Sequence, residues 1–212
     1  MVGYEGLDDS IIFDFETLST DRTNGCVVSM AMLSFSMTRF ESFKTPYTYK
    51  ELLDNTKMIK FNVEDQVKNY KRVIDKDTLN WWSTQSKEAQ KQLVPSTEDK
   101  SISELFSFWT LNKPINLKRV FSRGNTFDPI ILDYILEQTG TPSTSAYNFW
   151  EVRDTRSFIE GLSYGSNLDN SFIPEGLDKY FVHHDPRHDI VMDTMRMQYL
   201  IRTLLVDDEI PF

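Results

Sequence analysis

The sequence predicts an α/β fold in which α-helices flank a mixed β-sheet. Strand-forming runs dominate the first third of the chain, and helical periodicities alternate with a short apolar strand in the remainder. Hydrophobic residues make up 40% of the 212 residues and aromatic residues make up 13%, which favours a globular core over disorder. A chain of this length suits one domain with a sizeable core, so we expect residues 1–212 to form a single domain, with two small domains as the alternative.

The first predicted strand is the apolar run IIFDFET at residues 11–17. Isoleucine and phenylalanine favour β-structure, and turn-forming residues such as Gly3 and Gly6 precede the run. Asp14 and Glu16 interrupt it, and because side chains alternate along a strand, both point to one face about 6.6 Å apart. Burying two like charges is costly unless a cation or hydrogen bonds compensate them, and a hard divalent cation such as Mg²⁺ or Mn²⁺ would compensate both at once. The alternative is that the pair lies at a strand end and faces water.

Further strands are expected in the first third and near the middle of the chain. Residues 26–37 alternate imperfectly between apolar and small polar side chains, and we expect them to pair with the first strand as a hairpin. Residues 43–49 are expected to form a third strand, at an edge because Pro46 cannot donate a hydrogen bond to a sheet. Residues 119–122 form a short apolar run that predicts a central strand.

Helices are expected where apolar residues recur every three or four positions between capping residues. One helix, capped by Asp77, carries TLNWWSTQSKEAQKQL and ends before Pro95. Trp81 and Trp82 would lie about 100° apart on this helix, so we expect one of them in the core. The other helices are expected from residue 63, at residues 101–111 and 129–138, from Asp154 or Thr155, and at residues 186–205, with a polar loop at 164–173.

The composition excludes several kinds of protein. The single cysteine, Cys26, cannot form an intrachain disulfide or a thiolate zinc cluster, and it fits a reducing cytoplasm. The most apolar run, residues 27–35, is too short to cross a bilayer, and we see no signal peptide. The net charge of −9 argues against a broad basic surface for nucleic acid, but it allows a local site whose field is set by bound cations.

Further acidic residues and histidines could join the pair in the first strand. Asp128 follows a predicted strand and precedes a proline, so it could cap a helix, face a cleft, or do both. His188 and Asp193 would lie about 140° apart on a regular helix, so they meet only if His188 lies in a frayed first turn. His184 and His188 have the i, i+4 spacing of zinc ligands, but a proline between them and the excess of oxygen ligands argue against zinc.

In the order Asp14, Glu16, Asp128, His188 and Asp193, these residues resemble the DEDDh family of 3′-5′ exonucleases. FDFET is similar to the opening motif of that family, and HDIVMD has its His-x₄-Asp spacing. Four longer blocks resemble the DexA-type exonucleases of T-even phages and together cover nearly the whole chain. These blocks are TLNWWSTQSKEAQKQL, RGNTFDPIIL, NFWEVRDTRSFIEGL and FVHHDPRHDIVMDTMRMQYLIR.

The resemblance implies a ribonuclease-H-like fold and the removal of mononucleotides from 3′ ends of single-stranded DNA by phosphodiester hydrolysis. It implies that the four carboxylates of the set bind two divalent cations, Mg²⁺ or Mn²⁺, and that His188 acts as the general base. A phage enzyme of this kind would act in the cytoplasm of the host bacterium. An exoribonuclease of the same fold and a non-catalytic nucleic-acid-binding domain are the alternatives.

The same resemblance implies roles for residues beside the carboxylates. Thr17 and Leu18 directly follow the opening motif and would contact the terminal nucleotide, although packing at a strand end is the alternative. Phe127, next to Asp128, would stack on a base unless it belongs to the core. Asp154 matches a recurring position of the family, and we expect it to cap a helix.

Overall fold

A computed structural model describes residues 7–42 and 44–207, so Gly3, Gly6 and Phe43 lie outside the described residues. Five strands form one sheet in the order β3-β2-β1-β4-β5. β1 runs antiparallel to β2 and parallel to β4, as a mixed sheet requires. The strands are β1 (Ser10–Thr17), β2 (Val27–Phe35), β3 (Lys57–Lys60), β4 (Arg119–Ser122) and β5 (Val152–Asp154).

Helices cover both faces of this sheet. The structure confirms five of the predicted helices with small shifts of their ends: those from residue 63, at 101–111, at 129–138, from Thr155 and at 186–205. Among the described residues, no helix is both long and apolar enough to cross a membrane. The helices are α1 (Tyr49–Asn55), α2 (Val63–Tyr70), α3 (Lys76–Ser83), α4 (Lys87–Gln90), α5 (Leu105–Asn112), α6 (Asp128–Gln138), α7 (Thr155–Leu162) and α8 (Pro186–Asp207).

The hairpin of β1 and β2 and the central strand β4 are confirmed, but the third strand is wrong. Residues 44–49, the described part of that range, contain no strand, because the Thr48 hydroxyl accepts a hydrogen bond from the Glu51 backbone N–H and caps α1. The edge position next to β2 is taken by β3, which pairs from Ser29↔Lys60. β5, with three residues, was not predicted.

The single helix predicted after Asp77 is also wrong, since residues 84–86 divide it into α3 and α4. The Ser86 hydroxyl accepts a hydrogen bond from the Ala89 backbone N–H and so begins a new helix. Asp77 lies in the first turn of α3 and does not cap it. Trp82 is 1% exposed and Trp81 is 43% exposed, which confirms that one of the two lies in the core.

The alternation of side chains along β1 divides the core into two layers. Phe13 and its odd-numbered neighbours pack against α5 and α6, where the Phe13 ring meets the edge of Trp109 with centroids 5.3 Å apart. Ile12 points to the opposite face and packs in a cluster with Ile190 and other residues of α8. Asp14 and Glu16 share that face with Ile12, so they point towards the beginning of α8.

Candidate active site

A cleft of about 440 Å³ lies where β1 and β4 end, beneath the beginning of α8. The carboxyl ends of parallel strands meet at one edge of a sheet, which is why residues far apart in sequence converge here. The acidic residues that line the cleft are Asp14, Glu16, Asp128, Asp189 and Asp193, and they are joined by His183, His184, Arg123 and Arg196.

Three of the predicted site residues are brought together by β1 and α6. Asp14 and Glu16 project from the same face of β1, and the Glu16 side chain is buried. Asp128 is the first residue of α6, and its Oδ1 accepts a hydrogen bond from the Phe15 backbone N–H at 3.1 Å. That bond fixes the Asp128 carboxylate against the strand that carries the other two.

The beginning of α8 contributes His184 and Asp189. His184 has a left-handed backbone with a φ of 62°, and its N–H donates a hydrogen bond to Asp189 Oδ2 at 3.1 Å. One ligand atom from each of Glu16, His184 and Asp189 lies within 4.8 Å of the other two. Within residues 7–42 and 44–207, this group has the composition and spacing to hold a metal ion.

The structure places His188 outside this group. Its Nδ1 lies 2.8 Å from the Tyr49 hydroxyl oxygen, and the two rings are 6.0 Å apart, so His188 faces α1. His188 does not line the cleft described above. The zinc alternative required His184 and His188 to act together, and only His184 belongs to the candidate metal group.

Asp193 lines the cleft, but its carboxylate is already occupied. The side chain is 2% exposed, and its Oδ1 accepts hydrogen bonds from Arg123 Nη1 at 2.8 Å and Arg196 Nη1 at 2.7 Å. Its Oδ2 accepts a hydrogen bond from the Thr155 hydroxyl at 2.5 Å. Two guanidinium groups therefore balance the charge of Asp193, and the Thr155 hydroxyl satisfies its second oxygen.

His184 and Asp189 were not among the predicted catalytic residues, although they have the same His-x₄-Asp spacing as His188 and Asp193. His184 precedes the first helical residue, Pro186, so its side chain is not tied to the rotation of about 100° per residue within the helix. The sequence analysis requires His188 to lie in a frayed first turn, but His188 is the third residue of α8, and His184 is the histidine that lies outside the helix.

Burial and like charges together raise the pKa values of the clustered carboxyl groups. Burial, then Asp128 and Glu16, raise the pKa of Asp14 well above its usual range. Burial and Asp189 do the same for Glu16. Burial raises the pKa of Asp128 to about 7 and, with Asp193, that of Asp189 to about 8. A bound divalent cation would remove this penalty, so the oxygen-rich set fits such an ion.

This cluster predicts that the chelated protein becomes less stable as the pH rises. A carboxyl group whose pKa is higher in the folded protein than in the unfolded chain binds its proton more tightly in the folded protein. Its contribution to the free energy of unfolding is complete below the pKa of the unfolded chain, about 4, and is lost as the pH rises through the pKa of the folded protein. We therefore expect the Tm in EDTA to fall from about pH 4 towards pH 8. Glu16→Gln should make the fall smaller, and Mg²⁺ or Mn²⁺ should restore the Tm at the upper end. An equal fall in Glu16→Gln would contradict the prediction.

The residues predicted to contact the terminal nucleotide have different surroundings. Leu18 is buried against Cys26 and Trp82, so it packs in the core at the end of β1. The Thr17 hydroxyl donates a hydrogen bond to the Ser19 carbonyl at 2.9 Å. Phe127 lines the cleft and also packs against the core.

Asp154 lies beside the cleft at the end of β5. Its Oδ1 accepts a hydrogen bond from the Ser157 backbone N–H at 2.7 Å, which confirms the predicted cap of α7. Its Oδ2 accepts a second bond, from the Asn125 backbone N–H, at 3.0 Å. These bonds make Asp154 a structural residue at the edge of the site.

Comparison with known proteins agrees with this fold. The chain is 29% identical over 218 residues to a protein named exodeoxyribonuclease from enterobacteria phage T4, covering 94% of this chain and 92% of that protein. The fold of this chain is similar to that of Escherichia coli exonuclease I, whose structures include a zinc-bound complex with single-stranded DNA. The match to that complex has a TM-score of 0.56 at 10% identity and covers 96% of this chain. A second exonuclease I structure gives a TM-score of 0.57 at 10% identity over 94% of this chain.

Exonuclease I is longer, and this chain spans 42% of its length in both structures. The similarity confirms the predicted ribonuclease-H-like mixed sheet flanked by helices. Residues 9–190 match the model of the family described as the 3′-5′ exoribonuclease Rv2179c-like domain. This chain, with its acidic cleft at the ends of β1 and β4, is therefore a 3′-5′ exonuclease that hydrolyses phosphodiester bonds, and it belongs to the Rv2179c-like family.

Proposed function

We propose that this exonuclease removes mononucleotides from 3′ ends of single-stranded DNA, with Asp14, Glu16, Asp128 and Asp189 as cation ligands and His184 as the general base. The observation that carries the proposal is the convergence of Glu16, His184 and Asp189 within 4.8 Å, next to the other two carboxylates. In the proposal the carboxylates hold the cations and the His184 ring stays free to accept a proton beside them. The name of the phage T4 relative and the single-stranded DNA in the exonuclease I complex support DNA as the substrate.

The carboxylates would hold Mg²⁺ or Mn²⁺, which prefer oxygen ligands. Cations bound here would stabilise the negative charge that develops on the scissile phosphate and on the leaving oxygen. The protein's part is to keep the ligands in place before substrate arrives. Asp14 and Glu16 are fixed by the pairing of β1 with β2, at Asp14↔Ala31 and Glu16↔Ser29, and Asp128 by its bond to the Phe15 N–H.

His184 would accept the proton of the attacking water. Burial and the nearby His183 lower the pKa of His184, so its imidazole is neutral and able to accept a proton at pH 7. The bond from its backbone N–H to Asp189 links the position of the base to that of a ligand. The sequence-based assignment of His188 and Asp193 to these roles is the alternative, and the variants described in the Discussion distinguish the two.

In this proposal Asp193 has a supporting role. It holds Arg123, which donates to the Asn170 carbonyl and side chain, and Arg196, which donates to the Ser171 and Phe172 carbonyls. Asp193 thus anchors the loop before α8 to the wall of the cleft. A nucleotide placed in the cleft would meet this loop at Ser171.

Trimming of RNA 3′ ends is the second candidate, and the description of the matched family favours it. The test compares end-labelled DNA and RNA oligonucleotides of one sequence, digested in Mg²⁺, in Mn²⁺ and in EDTA. We expect faster, stepwise release of mononucleotides from DNA, no release in EDTA, arrest at a blocked 3′ end, and slower digestion of blunt duplex. Faster digestion of RNA would favour the second candidate, and internal cuts in circular single-stranded DNA would contradict both.

A further inference from the structure

An exposed tryptophan stands at the rim of the cleft on a helix that is firmly attached to the catalytic strand. The indole N–H of the buried Trp82 donates a hydrogen bond to the Thr17 carbonyl at 2.9 Å, and the Asp75 N–H donates to the Leu18 carbonyl at 2.8 Å. Both bonds join α3 to the end of β1. The neighbouring Trp81 is left 43% exposed.

Trp81 directly contacts the candidate general base. Its ring lies 4.7 Å from the His184 ring at an interplanar angle of 78°, and 5.1 Å from the Trp82 ring at 73°. These edge-to-face contacts hold the indole upright beside the group formed by Glu16, His184 and Asp189. An aromatic surface in this position is large, rigid and open to a base that enters with the scissile phosphate.

The charges around the cleft favour a role for base stacking in substrate affinity. The net charge is −9, and both arginines that line the cleft already bind Asp193 and the carbonyl groups of the loop at 170–172. Arg187, nearby on α8, is paired with Asp185 at 2.6 Å. With these three arginines engaged, bound metal ions and base stacking are two contacts that can supply affinity for the substrate.

We propose that Trp81 is a stacking surface for an unpaired base next to the 3′ end of the substrate. The inference rests on the proposed function of the cleft and adds the residue that selects single strands. Stacking requires a base whose face is free, which a base inside a duplex does not offer, and it tolerates any base because each has a π-face. Trp81 would therefore give preference for single strands without preference for sequence.

A structural role for Trp81 is the competing explanation, since the indole also packs on His184. The two roles affect different quantities. Loss of a stacking surface weakens substrate binding, by roughly 5- to 150-fold for one base. Loss of a support for His184 would lower kcat and move the pH profile of kcat, and would leave the Kd for the strand unchanged.

The test uses the intrinsic fluorescence of the full chain, titrated in Mg²⁺ with a short oligothymidylate that has phosphorothioate linkages at its 3′ end to slow hydrolysis. Trp82 and Trp109 are buried, so Trp81 and Trp150 are the exposed indoles among residues 7–42 and 44–207. Trp150, 61% exposed, precedes β5 and therefore lies at the opposite end of the sheet from the cleft, which makes Trp150→Phe a matched control.

We expect quenching in the wild type and in Trp150→Phe, and its loss in Trp81→Phe. The Kd of each variant is measured separately, by fluorescence anisotropy of the same oligothymidylate carrying a 5′ dye. Trp81→Phe should keep most of the affinity, Trp81→Leu should lose it by the factor given above, and an abasic 3′-terminal region should remove the difference between Trp81→Leu and wild type. Quenching that persists in Trp81→Phe, or an unchanged Kd in Trp81→Leu with a lower kcat, would overturn the proposal. Trp81-dependent quenching without any hydrolysis of unmodified DNA would instead contradict the proposed function alone.

Discussion

Asp14→Asn should lower kcat by at least about 10³-fold while the protein remains folded. Asparagine keeps the shape of the side chain but removes the charge that would hold a cation, and metal ions contribute several kcal/mol to stabilising such transition states, at about 1.4 kcal/mol per factor of ten. In the chelated protein at pH 8 the same change should raise the Tm, because it removes one member of a repulsive buried cluster. Initial rates on labelled DNA and thermal unfolding in EDTA measure the two effects.

The matched control for this change is Asp154→Asn. Asp154 stands at the end of β5 and caps α7. Asparagine is an equally good helix cap, so kcat should stay close to the wild type, while the Tm should fall slightly because the amide nitrogen cannot accept the bond from the Asn125 N–H. Retained activity in a folded Asp14→Asn protein, or full activity in EDTA, would refute the assignment of Asp14 as a cation ligand.

His184→Ala should lower kcat by about 10²- to 10⁴-fold, the usual contribution of a general base. In the wild type, kcat should rise with pH through a pKa below the usual value for histidine, since burial lowers the pKa of His184, and the variant should lose this part of the profile. His188→Ala should reduce kcat far less, because the His188 ring binds Tyr49 and does not line the cleft. A larger loss in His188→Ala would restore the sequence-based assignment.

The two aspartates of α8 give a second way to separate these assignments. Asp189→Asn should lower kcat strongly and raise the Tm in EDTA, since burial beside other carboxylates makes the charge of Asp189 unfavourable. Asp193→Asn should instead lower the Tm, because it leaves the buried Arg196 and the nearby Arg123 without their shared carboxylate, and breaking such a buried pair costs about 3–5 kcal/mol. Opposite signs of the Tm change would identify Asp189 as the ligand.

The elements that the sequence predicted well are those whose own residues determine them. The apolar alternation of β1 and the long periodic run of α8 are strong local signals, and both elements were found within a few residues of their predicted ends. β3 and β5 have four and three residues and exist because they pair with a longer neighbour, so their local sequence carries little signal. The strand expected around Pro46 failed because a local capping residue, Thr48, begins a helix there.

The sequence predicted part of the candidate site, as it predicted part of the fold. Asp14, Glu16 and Asp128 were expected to face one cleft, and they line it together. The sequence analysis assigns His188 and Asp193 by resemblance, and that assignment stays a prediction, because His184 and Asp189 have the same His-x₄-Asp spacing four residues earlier and line the cleft. Only the position at which α8 begins, with His184 outside it and His188 inside, separates the two pairs.

The left-handed backbone of His184 favours glycine for stability, whereas the proposed catalysis requires an imidazole at the same position. Glycine adopts such a φ without steric cost, whereas a side chain there stores strain of about 1–3 kcal/mol. A chain optimised for stability alone would have glycine at position 184 and would lose its imidazole. In the proposed role of His184 as the base, this turn keeps a strained residue for its chemistry, and a redesign that optimised stability alone would remove the base.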